Sequence, residues 1–82
     1  MARYYFELTE GDRLTTDTEV LDFGNLADAT AEAKRALAEM GAERFSRDAP
    51  SALSLEIFSA EGRLLVRVVI AISVQSFDQA AA

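Results

Sequence analysis

At 82 residues, 50% hydrophobic and 27% charged, the chain is long enough for one small core and too short for two. It has no histidine, cysteine or tryptophan. That excludes Ser–His and Cys–His nucleophiles, imidazole proton transfer near neutral pH, disulfides and thiolate metal sites, leaving carboxylates, hydroxyls, two tyrosines, seven arginines and Lys34. A net charge of −6 sets long-range repulsion against nucleic-acid phosphates and anionic membranes.

From Arg3 to Thr9, Tyr4, Phe6 and Leu8 alternate with Tyr5, Glu7 and Thr9, the period of a strand. Glu10-Gly11-Asp12-Arg13 supplies turn chemistry, and the threonine-rich stretch Leu14 to Val20 predicts a short polar edge strand. Asn25 is an N-cap with Asp28 three residues on, so a helix is expected from Leu26. Its apolar stripe is Leu26, Ala29, Ala33, Ala36, Leu37 and Met40, opposite Asp28, Glu32, Arg35, Glu39 and Glu43. Arg44 falls on the stripe, so either the helix loosens there or Arg44 snorkels, and Asp48-Ala49-Pro50 is expected to end the helix.

Beyond Pro50, Leu53, Leu55 and Ile57 alternate with Ser54, Glu56 and Phe58, and Ser59-Ala60-Glu61-Gly62 predicts a turn into a strand from Arg63 to about Val74. That last strand is expected to put Leu64, Val66, Val68, Ile70, Ile72 and Val74 on one face and Leu65, Arg67, Val69 and Ala71 on the other. The fold class that follows is α+β, in the order ββαββ, a four-stranded mainly antiparallel sheet with one helix across one face. Residues 1–75 form the expected domain and 76–82 a frayed tail. The expected core is Phe6, Leu8, Leu37, Met40, Leu55, Ile57, Val66, Val68 and Ile70.

No secretory-signal pattern opens the sequence. The longest apolar run, Leu64 to Val74, is broken by Arg67 and is about half the ~20 residues a membrane-spanning helix needs. A cytoplasmic location without a membrane partner is therefore expected.

The opening Arg3-Tyr4-Tyr5-Phe6, then Gly11, Asp17 and Glu19, the spaced Leu26, Ala29 and Ala33, and Glu61-Gly62-Arg63 before a long strand together resemble a family of short bacterial proteins known as domain of unknown function 6894. The chain departs from that pattern at Val20, where glycine is frequent, and at Ala60, where an acidic residue is usual. The resemblance implies no activity and assigns no functional residue.

The acidic Glu10, Asp12, Asp17, Glu19 and Asp22 lack the ligand order of a calcium loop and read as a solvated edge. Neither a metal nor a cofactor is expected. Ala27, Ala31, Ala38 and Ala42 form a second helical stripe of small residues, suited to a packing seam or simply to helix propensity.

One helix covers one sheet face, so the other ought to be polar. Instead it is expected to hold Tyr5, Phe58, Leu65, Val69 and Ala71 among Arg3, Glu7, Glu56, Arg63 and Arg67. Either aromatic and arginine stems shield one another there, or a bulge in the last strand changes its parity, or a partner covers it. The reading that follows is a non-enzymatic interaction module forming a homodimer through the exposed sheet face or the last strand's edge, open to another protein partner, with Tyr5, Phe58, Leu65 and Val69 as interface and Arg67 as a rim or snorkelling residue. The alternative is a nucleic-acid platform with Tyr5 and Phe58 stacking on bases and Arg3, Arg63 and Arg67 on phosphates, disfavoured by the acidic whole and by the absence of an RNP-like motif.

Overall fold

The computed structural model describes residues 2–45 and 52–77. Four strands, β1 (Ala2–Glu10), β2 (Arg13–Phe23), β3 (Ala52–Ser59) and β4 (Leu64–Ala71), form one antiparallel sheet in the order β2-β1-β3-β4, with a single helix, α1 (Leu26–Arg44), between β2 and β3. This is the expected ββαββ arrangement. It places β1 and β3 in the centre and β2 and β4 at the edges.

Both hairpins turn on a glycine with positive φ. Gly11, at 63°, is the first central residue of a two-residue turn, a position that favours glycine because a Cβ would crowd the backbone there. Gly62, at 87°, is the last residue of the longer turn Ala60-Glu61-Gly62 between β3 and β4, where its N–H donates to the Ser59 carbonyl at 2.9 Å. β2 begins and ends beyond the expected stretch, and it bulges between Leu14 and Thr18, where its partner advances only from Thr9 to Glu7.

The helix starts where the capping chemistry puts it. Asn25 is extended, and its Oδ1 accepts from the Asp28 N–H at 2.8 Å, satisfying one of the free amides of the first turn. The buried line is Ala29, Ala33, Leu37 and Gly41, an unbroken i, i+4 row. Three of these four are alanine or glycine, so the helix backbone sits close to the sheet, lying mainly over β3 and β4. Leu26, Ala36 and Met40 pack half-buried beside that row. α1 has ended by Phe45, whose N–H donates to the Gly41 carbonyl at 3.0 Å. The expected stop at Asp48-Ala49-Pro50 lies outside the described residues, as do residues 78–82 of the expected tail. Arg44 leaves the stripe to pair with Glu10 at the end of β1.

Under the helix, Tyr4, Phe6, Leu53, Leu55 and Ile57 are buried with Ala29, Ala33 and Leu37. Phe6, Leu37, Leu55 and Ile57 were expected there; Leu8, Met40, Val66, Val68 and Ile70 pack against this cluster half-buried. Tyr4 and Leu53 share the parity of the expected residues and join them. Phe23, beyond the expected end of β2, closes the cluster, its ring 5.9 Å from that of Phe6 and 6.3 Å from that of Tyr4.

β4 departs from simple alternation. Ile57 pairs with Val66 but Phe58 pairs with Leu64, so Leu65 is an extra residue on β4. The expected outward position of Leu65 is therefore corrected: it packs against the core cluster, and Leu64 takes the outward position opposite Phe58. β4 also ends at Ala71 rather than Val74, because β3 starts at Ala52 and offers nothing described beyond it to pair with.

Candidate functional site

α1 covers one face of the sheet and leaves the other open. Because directly opposed residues on paired strands point to the same side, the register fixes the open face in rows. One row crosses all four strands: Val20 opposite Tyr5, Tyr5 opposite Phe58, Phe58 opposite Leu64. Every member is apolar or aromatic. Val20 and Leu64 are exposed, Tyr5 and Phe58 half-buried.

The next row is polar, running Thr18, Glu7, Glu56, Arg67. Glu7 and Glu56 face each other as like charges on neighbouring strands, an unfavourable cross-strand pair. Arg67 offsets part of this, with its Nε 3.6 Å from Glu56 Oε1. Thr9 Oγ1 also donates to that oxygen at 3.3 Å, and Ser54 Oγ does so at 3.5 Å. The other carboxylate oxygen, Glu56 Oε2, is buried and accepts no hydrogen bond among the described residues. A buried acceptor without a donor costs free energy. On the far side of the apolar row, Arg3 Nε is 3.3 Å from Asp22 Oδ1.

Between the rows lies a shallow groove of about 430 Å³, lined by Tyr5, Glu7, Thr18, Phe58 and the Ala60, Glu61 and Gly62 of the β3–β4 turn. Val69, opposite Ser54 and 56% exposed, adds an apolar spot beyond the polar row. Of the expected interface residues, Tyr5, Phe58, Arg67 and Val69 share this face; Leu65 does not, for the reason given by the bulge. Val20 and Leu64 were not foreseen. Val20 needed the β1–β2 register, which the turn at Gly11 sets only as far as Leu14; the bulge between Leu14 and Thr18 then brings Val20 and not Thr18 opposite Tyr5, and nothing in the local pattern of β4 announces its extra residue.

Among the described residues no three carboxylates converge as a metal site would require, and no helix is long and apolar enough to cross a membrane. The chemistry this face offers is apolar contact flanked by hydrogen-bond acceptors and two ion-paired arginines. No curated protein and no solved structure matches the chain. Residues 3–71, most of its length and the whole of the sheet and helix from Arg3 on, match the family described as Domain of unknown function (DUF6894), and to that family the chain belongs.

Proposed function

We propose that this chain is a non-enzymatic interaction module that forms a homodimer and presents its open sheet face to a polypeptide. The observation that carries the reading is the apolar row Val20–Tyr5–Phe58–Leu64 running across a face that α1 leaves uncovered. A domain of this size has little core to spare, and an uncovered apolar strip on it is stabilised by a partner. Tyr5 and Phe58 are the anchors, Leu64 and Val69 extend them, and Arg67 and Glu7 form the rim.

The nucleic-acid alternative is weaker on this geometry. Of the three arginines it needs, Arg3 is paired with Asp22 and Arg67 with Glu56. Phosphates would have to displace carboxylates from both, against a net charge of −6.

Light scattering across a dilution series tests the dimer. A mass of two chains at micromolar concentration is expected, and a strictly monomeric mass at high micromolar concentration overturns it.

A further inference from the structure

The two edges of the sheet are built differently. β2 carries exposed Glu19 and Asp22 along its edge, charges that discourage another strand from adding there. β4 has a single charge, Arg67, between Leu64 and Ala71. Past Ala71 the alternation of a strand continues through Ile72, Ser73 and Val74, but β3 has run out: no backbone hydrogen bond joins residues 72–77 to another described residue. This overhang carries Ile72, Val74 and Phe77 among Ser73, Gln75 and Ser76 and is open to solvent, Val74 being 90% exposed and Phe77 83%. Beside the same edge, Lys34, Leu37 and Ala38 of α1 and Val68, Val69 and Ile70 of β4 enclose an open groove of about 210 Å³.

We propose that two copies of this chain join edge to edge through β4, antiparallel about a two-fold axis at Ile70, so that residues 72–74 of each copy pair with residues 66–68 of the other, short of the bulge at Leu65. This rests on the homodimer reading and assigns it to one surface. A two-fold axis perpendicular to the sheet pairs each residue with one of like parity, which keeps both helices on the same side. Centred on Ile70, it sets Ile72 of the second copy opposite Val68 and Val74 opposite Val66, on the helix side of the sheet. Ile72 then lies at the mouth of the groove between α1 and β4, covering apolar lining that one copy alone leaves open. The same register puts Arg67 opposite Ser73 and not opposite itself, so the one charge on the edge meets no like charge. The exposed alanines of α1 that continue from Ala38, namely Ala31 and Ala27, lie on the side turned toward the axis, where small side chains let two helices approach. The resulting eight-stranded sheet leaves both open faces, with their Tyr5–Phe58 rows, free for another polypeptide.

Engineered cysteines read the register directly, because the chain has none of its own. Opposed residues on antiparallel strands have Cα atoms about 4.5–5.5 Å apart, within disulfide range. In the double variant Arg67→Cys/Ser73→Cys each cysteine faces its counterpart in the other copy. Within one chain the two are six residues apart along an extended strand, roughly 20 Å, as are two copies of residue 67 across the axis. Mild oxidation should convert the double variant to a covalent dimer and leave each single variant uncrosslinked; equal cross-linking by a single variant overturns the register. Light scattering supplies the second arm. Ile72→Asp/Val74→Asp, on exposed positions outside the core, should give a monomer at a concentration where the unaltered chain is dimeric, while Tyr5→Ser should remain dimeric. A dimeric tail variant with a monomeric Tyr5→Ser overturns the edge assignment and keeps the homodimer; a monomeric unaltered chain overturns both.

Discussion

At the scale of single residues, the open face is where this chain is least optimised for stability. Glu7 and Glu56 are directly opposed, and one Glu56 oxygen is buried without a donor. Replacing Glu7 by lysine turns a repulsive cross-strand pair into an attractive one, and such pairs are worth about 0.2–1 kcal/mol each. Glu7→Lys should therefore raise the stability measured by urea unfolding by up to about 1 kcal/mol or slightly more. Glu61→Lys, which makes the same charge change on the exposed β3–β4 turn, should do less; equal gains would mean that net charge and not the pair is responsible. That Glu56 sits on the open face was legible from strand parity, since its even number follows from alternation with Leu55 and Ile57. Its confrontation with Glu7 was not, because parity gives the face and only register gives the neighbour. Leu65 shows the same limit more severely: one inserted residue moved it to the core side and sent Leu64 outward, and a run of Leu-Leu-Val offers no local signal of where the insertion falls.

At the scale of elements, α1 is the piece whose sequence speaks most clearly, because a cap, an acidic first turn and a 3.6-residue period all act locally. Asn25 and Leu26 mark its start as expected. Removing the cap in Asn25→Ala should cost about 1 kcal/mol, read as a lower urea midpoint, with Asn25→Ser losing only a few tenths. On the solvent side, Arg35 binds Glu32 at 2.5 Å and Glu39 at 2.7 Å. Its hydrogen bond to Glu32 holds that carboxyl below the ordinary glutamate value, and the two carboxylates raise the Arg35 guanidinium. A folded-state value lowered in this way gives a contribution present above the unfolded value and lost as pH falls through the folded one. Because Arg35 and Glu39 are exposed and Glu32 is only half-buried, the contribution is small. A carbon-13 titration should find Glu32 titrating below an ordinary glutamate, and Arg35→Gln should return it to that value. The strands were legible in order and, apart from the start of β4, in phase, but not in length. β4 carries a strand pattern to Val74, yet a strand lasts only as long as its partner, and β3 begins at Ala52. Pattern describes what a segment can pair with, whereas the extent of pairing belongs to the whole sheet.

At the scale of the whole molecule, a homodimer couples folding to association, and the coupling has a size that can be computed. If two folded chains are bound in the native state and separate when unfolded, a tenfold rise in concentration stabilises that state by about 1.4 kcal/mol per dimer. Unfolding entropy near 60 °C is about 2.1 cal/mol/K per residue, which for a chain of this length is roughly 0.17 kcal/mol/K, or twice that for a pair. The ratio of the two predicts a thermal midpoint that climbs by about 4 °C for each tenfold increase in protein concentration. An effect of that magnitude is several times the reproducibility of a melting curve, so a hundredfold series followed by circular dichroism decides the matter. A midpoint that does not move across the series would mean that the chain unfolds as a monomer at those concentrations. The Ile72→Asp/Val74→Asp variant should lose the slope and melt, at every concentration, below the most concentrated sample of the unaltered chain. Its core is untouched, so what it loses is the second copy and not the fold.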